Sequence, residues 1–212
     1  KTNKWHQYTH QQGDNSSLRN NVVQTLFIDS NNNLWLGTYN GGSLTRFDYQ
    51  NEKFVHYDHV PNDPNSLSGR TIQPQGIIED EEGYLWIGTW NGLNRFDPET
   101  GNFKQYFHEP TNLQTLSSNH ITALAQGAKK NILWVGTPAG LNRFNKKTGL
   151  VEEYYSEEAG LPNNFIYCIL KDKSGNLWMS TNNGLAKFNP ETENFISYNE
   201  GNGLQSNQFL WG

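Results

Sequence analysis

Two short stretches of this 212-residue sequence hold side chains whose types and spacing suit chemistry. The first, Arg70-Thr71-Ile72-Gln73-Pro74-Gln75-Gly76, sets a guanidinium beside two carboxamides. An arginine fork grips a carboxylate, a sulfate or a set of hydroxyls through charge-assisted hydrogen bonds, and Gln73 and Gln75 add neutral donors and acceptors. The second is a pattern written twice, Tyr39-Asn40 and Trp90-Asn91, an aromatic ring followed by an amide. Such rings lie against the apolar face of a small molecule while neighbouring amides bond its polar groups. Both stretches suit recognition without bond-breaking.

Other chemistries find little support. The sequence has no Gly-x-Ser-x-Gly elbow, no His-Glu-x-x-His and no phosphate loop. Glu81, Glu82, Glu99 and Glu191 stand among turn-forming residues, where a solvated surface is expected. A net charge of −5 without a basic stripe argues against nucleic acid as a partner. Cys168 is the single cysteine, which rules out an internal disulfide and a thiolate metal cage. Asp29-Ser30-Asn31-Asn32-Asn33 faintly echoes a calcium loop, but Leu34 stands where that loop needs Gly and Asn40 where it needs Glu. Asn15-Ser16-Ser17 fits a glycosylation acceptor only as a short chance pattern. No cofactor and no metal are expected. No apolar run approaches the roughly 18–20 residues of a membrane span, and no signal peptide is recognisable. The first residue is Lys1, so a piece of a longer protein is the expectation.

The elements that position these side chains show in a repeat. Leu34-Trp35-Leu36-Gly37-Thr38 returns as Leu85-Trp86-Ile87-Gly88-Thr89 and Leu133-Trp134-Val135-Gly136-Thr137, then in worn form as Leu177-Trp178-Met179-Ser180-Thr181. The tryptophans stand 51 (35 to 86), 48 (86 to 134) and 44 (134 to 178) residues apart. A period of that size marks one supersecondary unit repeated, each copy burying its apolar faces against its neighbours. Each unit has four segments. Segment A is an apolar run after a Leu (Leu18, Leu67, Leu116, Leu161), and B is the Trp signature. Segment C is Leu44-Thr45-Arg46-Phe47 and its equivalents ending at Phe96, Phe144 and Phe188. Segment D is a short aromatic strand, Phe54 to Tyr57, Phe103 to Tyr106, Val151 to Tyr154 and Phe195 to Tyr198. Turn residues such as Asp172-Lys173-Ser174-Gly175-Asn176 and Asp97-Pro98-Glu99-Thr100-Gly101 join them. Four antiparallel strands per unit, with Trp35, Trp86, Trp134 and Trp178 as wedges between units, predict an all-β β-propeller.

The expected blades are residues 18–57, 67–106, 116–155 and 161–198. Residues 1–10 read as the outer strand of a preceding blade and 204–212 as the inner strand of a following one, which makes the chain an excerpt of a larger ring.

Leu-Trp-Ile-Gly-Thr, Gly92-Leu93-Asn94-Arg95-Phe96-Asp97 and Asp63-Pro64-Asn65-Ser66-Leu67-Ser68 resemble the two-component regulator propeller repeat, over essentially the whole chain. The resemblance implies the extracytoplasmic, periplasmic sensor region of a membrane-anchored hybrid sensor kinase, binding an oligosaccharide or similar nutrient and signalling to a histidine kinase. A protein-interaction scaffold is the alternative, and a propeller-type polysaccharide lyase or hydrolase a more distant one.

Within the repeat, departures on the face carrying the D-to-A and B-to-C links are the informative ones, because loops on a rigid scaffold carry binding. The leading Leu to the Trp spans 17 residues in the first and fourth units (18 to 35, 161 to 178) but 19 in the second (67 to 86). The surplus falls in Arg70 to Gly76, and Pro and Gly within a strand predict a bulge. Arg70 stands where other units have Asn21, Asn119, Asn164 and Asn207. Tyr39 and Trp90 occupy the B-to-C place that Pro138 and Asn182 hold elsewhere. The expected ligand-binding set is Tyr39, Asn40, Arg70, Gln73, Gln75, Trp90 and Asn91. Arg46, Arg95, Arg143 and Lys187 recur at one position and read as scaffold. His10, His59 and His108 also recur, but whole sheets hold equivalent positions apart while zinc ligands sit about 2.0–2.1 Å from one ion. They are expected to brace the D-to-A links through backbone hydrogen bonds. An open arc exposes apolar faces at its ends, so self-association is expected.

Overall fold

A computed structural model describes residues 5–208. They form four antiparallel meanders, each one blade. Blade 1 is β1 (Val23–Ile28), β2 (Leu34–Thr38), β3 (Ser43–Asp48) and β4 (Lys53–Asp58). Blade 2 is β5 (Ile72–Glu79), β6 (Leu85–Thr89), β7 (Gly92–Phe96) and β8 (Phe103–Tyr106). Blade 3 is β9 (Ala123–Gln126), β10 (Ile132–Gly136), β11 (Leu141–Asn145) and β12 (Leu150–Tyr155). Blade 4 is β13 (Ile166–Lys171), β14 (Leu177–Thr181), β15 (Gly184–Asn189) and β16 (Asn194–Tyr198). The chain is the all-β propeller that the repeat predicts.

Turn chemistry and the wedge are coupled. One carboxylate oxygen of Asp29 accepts the N–H groups of Asn31 and Asn33, closing the β1–β2 turn, and the other accepts the Trp35 indole N–H at 2.8 Å. Asp80 does the same for Trp86 at 2.7 Å and Asp172 for Trp178 at 3.1 Å. A buried indole needs such a partner. The echo of a calcium loop at Asp29 is therefore a turn that anchors the wedge.

The first three wedges pack on the next blade, while Trp178 stacks on Tyr198 of its own. Trp35 meets Phe96, Trp86 meets Phe144 and Trp134 meets Phe188, with ring centroids 5.5, 5.6 and 5.5 Å apart, all edge to face. The outer strand adds Tyr57 on Phe96, Tyr106 on Phe144 and Tyr155 on Phe188. At the inner end, the Gly of the Trp signature lets the following blade come close. A Cβ on Gly37 would lie 2.6 Å from Ile72, and one on Gly88 2.6 Å from Ile121. The core is thus a set of junctions between blades.

The outer strand of blade 3 departs from the expected register. A bulge in β12 opposite Arg143 and Phe144 inserts one residue, so Tyr155, and not Tyr154, takes the place of Tyr57 and Tyr106. Tyr154 turns outward and donates its hydroxyl to the Ala139 carbonyl.

Residues 5–10 contain no assigned strand, yet Tyr8 packs on Phe47 and Phe54 at 5.1 and 5.6 Å, as Tyr57 does on Phe96. Near the other end, the Asn207 carbonyl accepts the Gly184 N–H, as the Asn119 carbonyl accepts that of Gly92. Phe209 to Gly212, part of the expected following inner strand, lie outside the described residues, as do residues 1–4.

Candidate functional site

The surplus in the second unit is a bulge. Ile72 pairs with Thr89 and Ile77 with Ile87, so five steps on β5 face two on β6. Blades 1 and 4 carry only a one-residue bulge at the same place. The larger bulge takes Pro74 and Gln75 out of the pairing with β6, and Gln75 instead makes a parallel bridge to Ala123 of the neighbouring inner strand. In blade 4, burial pushes the Cys168 thiol up, and Gln75 draws it partly back. A thiol held protonated in this way is a poor nucleophile.

Above the bulge, the face that carries the D-to-A and B-to-C links holds a run of rings. Tyr39 meets Trp90 edge-on at 6.0 Å, Trp90 meets His120 at 5.7 Å, and His120 meets Phe165 at 6.4 Å. Phe165 then lies 4.5 Å from Tyr167, whose hydroxyl donates to Asn182 Oδ1 at 2.7 Å. The run crosses all four blades. Trp90 is 50% and Tyr39 42% exposed, against 0% for the wedges Trp35 and Trp86. The exposed rings are therefore surface built by loops.

Polar groups flank the run. Arg70 Nε donates to Asn40 Oδ1 at 3.1 Å, and the Asn40 N–H donates to Thr71 Oγ1 at 3.0 Å. Asn40 adopts φ +48°, a left-handed conformation that Asn tolerates, and this turns its side chain to Arg70. Gln73 is almost fully buried with its amide 3.3 Å from His120 Nε2, so it positions that ring from behind. Burial alone holds the His120 pKa below its ordinary range, so the ring is neutral at neutral pH.

The structure brings Tyr39, Asn40, Arg70 and Trp90 together, with Gln73 behind His120 and Gln75 on the inner side. Asn91 stands apart. Its N–H donates to Thr89 Oγ1 and its amide to the Ser68 carbonyl, on the flank of a cleft of about 550 Å³ with His59, Asp63 and Phe107. Sequence reasoning missed His120, Phe165 and Tyr167. His120 and Phe165 hold one place in the repeat, directly after Asn119 and Asn164, but Val22 and Thr71 stand there in the other units, so no motif marks it, and Tyr167 lies two residues further on within an apolar strand.

The recurring groups are scaffold. His10, His59 and His108 each set Nδ1 2.5–2.6 Å from the carbonyl of Leu18, Leu67 or Leu116, bracing the D-to-A links. Arg95 lies over the Tyr84 ring at 4.3 Å, and Arg143 pairs with Glu152 and Glu193 on the outer rim.

Comparison with known proteins agrees with this architecture. Residues 17–40, 66–91 and 160–183 match the model of the two component regulator propeller. The extracellular domain of a one component system of B. thetaiotaomicron superposes with a TM-score of 0.70 at 28% identity, over 88% of this chain and 25% of that one. The extracellular domain of a hybrid two component system of the same organism gives 0.61 at 26% identity, over 84% and 30%. Histidine kinase P4 of Formosa agariphila is 40% identical over 50 residues, 24% of this chain and 4% of that protein. The chain thus spans under a third of each of these relatives.

Proposed function

Starting from a chain built of two-component regulator propeller repeats, we propose that it is a ligand-sensing segment of an extracytoplasmic sensor region. In this reading the parent protein is membrane-anchored, and the ligand is an oligosaccharide or similar nutrient whose binding biases a histidine kinase. The observation that carries it is the run Tyr39–Trp90–His120, its first two rings exposed and the third half-buried, with Asn40 and Arg70 beside it. Pyranose rings have an apolar face and an equatorial belt of hydroxyls, and a row of rings edged by amides matches both. The bulge and the sheets below fix the rim before the ligand arrives, so little ordering entropy opposes binding. The signal is differential binding: the ligand favours whichever arrangement of the sensor region it contacts better. No described helix is long and apolar enough to cross a membrane, so the span would lie elsewhere in the parent.

The uncovered ends support the excerpt. Leu26 is 65% exposed although its equivalents Ile77 and Ile169 are 5% and 3%, and Leu170 is 61% exposed at the opposite end. Further blades of the same repeat would cover both. Titration calorimetry against a panel of neutral and acidic oligosaccharides tests the reading, with Trp90→Ala as control. A ligand whose affinity ignored Trp90→Ala would remove the rim as its site.

A further inference from the structure

We infer that the ligand of this rim carries a negative charge, a carboxylate or a sulfate, and that Arg70 seats it; the inference rests on the rim's reading as an oligosaccharide site. The case begins with a place in the repeat. Asn21, Asn119, Asn164 and Asn207 each accept, through Oδ1, an N–H that opens a D-to-A link: those of His10, His108, Glu157 and Glu200 at 2.6, 2.7, 2.8 and 2.7 Å. Arg70 holds that place in the second unit and has no acceptor. Gly42 does the bracing instead. Its carbonyl accepts the His59 N–H at 2.7 Å, and its own N–H donates to the Arg70 carbonyl at 2.8 Å. Gly42 belongs to a B-to-C link that is two residues longer than its counterpart, Thr38 to Leu44 against Thr89 to Leu93. The long link and the arginine form one device, and it frees side chain 70 from scaffold duty.

The freed side chain is held ready. Asn40 fixes its Nε, and the guanidinium lies across the bare backbone of Gly42, with Cζ 3.7 Å from where a Cβ would stand. Gly42 is at φ +71°, so a larger residue there would be strained. Among the described residues no carboxylate pairs with Arg70. The nearby Asp58 is taken by Arg19 in two bonds of 3.2 and 2.7 Å. Arg70 therefore gives the rim an uncompensated positive charge held on Asn40, the residue after Tyr39, with its terminal N–H groups unused. Charge-assisted bonds from such a fork are about twice as strong as neutral ones, so a uronate or sulfated sugar profits from it more than a neutral sugar.

Calorimetry of the full chain with three tetrasaccharides tests this: a tetragalacturonate, its carboxyl-reduced neutral counterpart, and a sulfated, uronate-free galactan. At least one acidic tetramer should bind about tenfold tighter than the neutral one, and which one does separates carboxylate from sulfate. Arg70→Gln should abolish that preference, Arg70→Lys should retain part of it, and Trp90→Ala should weaken all three. Equal affinity for neutral and acidic tetramers, still dependent on Trp90, would overturn this inference alone, as would equal losses on Arg70→Gln. Failure of all three to bind would overturn the oligosaccharide reading and this inference together. A thermal melt of each variant, with Arg70→Lys as the milder change, separates a lost seat from a lost fold.

Discussion

At each internal junction a Trp and a Tyr of one blade close on a Phe of the next, and the three sets are nearly superimposable: 5.5, 5.6 and 5.5 Å for the Trp pairs. On the rim just above, equivalent loop positions hold Tyr39, Trp90, Pro138 and Asn182. The same indole chemistry is 0% exposed at Trp86 and 50% at Trp90, only four residues along the chain. The difference teaches where each constraint acts. A junction must fill space between two sheets that approach closely, so its residues repeat. A rim loop has to satisfy only its own backbone, so its residues are free to differ and to carry specificity.

The contrast breaks most visibly at a wedge. Trp86→Ala should destabilise the chain by about 3–5 kcal/mol, since it leaves a cavity between two blades and strips Asp80 of its indole donor; denaturant unfolding measures this, and a loss below that of a surface change would refute the wedge role. The arc ends come next. Exposed Leu26 and Leu170 should drive association of the isolated chain, and Leu26→Asp should shift light scattering toward monomer. A clean monomer of the unaltered chain would contradict this. At the rim, Trp90→Ala should cost ligand affinity tenfold or more while moving stability by less than about 1 kcal/mol.

The smallest effect sharpens the junctions by pH. Hydrogen bonds from Asn176 and Trp178 hold the Asp172 carboxyl down to about 2. At Glu81 burial pushes the carboxyl up, but bonds from Gln126 and Lys146 outweigh it and set it near the same value, about 2. Lys146 also approaches Asp80 at 3.8 Å, so this pair ties blade 3 to blade 2. Folded-state values below the ordinary 3.8 and 4.5 mean stability that is complete above about pH 5 and lost as pH falls toward 2. Thermal melts across that window should show the decline, and Asp172→Asn should flatten part of it.

How much of this was legible can be read from single residues. The Trp signature and its period determined the blades, because a unit that cannot bury its own faces has to repeat the residues that bury it against its neighbours. The counts around Arg70 located the bulge, since strand pairing has a fixed period and any surplus residue must leave the ladder. Tyr155 was missed because the one-residue bulge in β12 has no Gly or Pro to announce it. Tertiary structure alone decided that His120 and Phe165 extend the line from Tyr39 and Trp90, and that Asn91 turns away to hold Ser68. It also joined Gly42 to Arg70, two residues whose partnership crosses from one blade to the next. Periodic patterns record what each blade owes to its neighbours. Contacts among loops arise only when those blades are set side by side, and nothing in the local sequence encodes that distance.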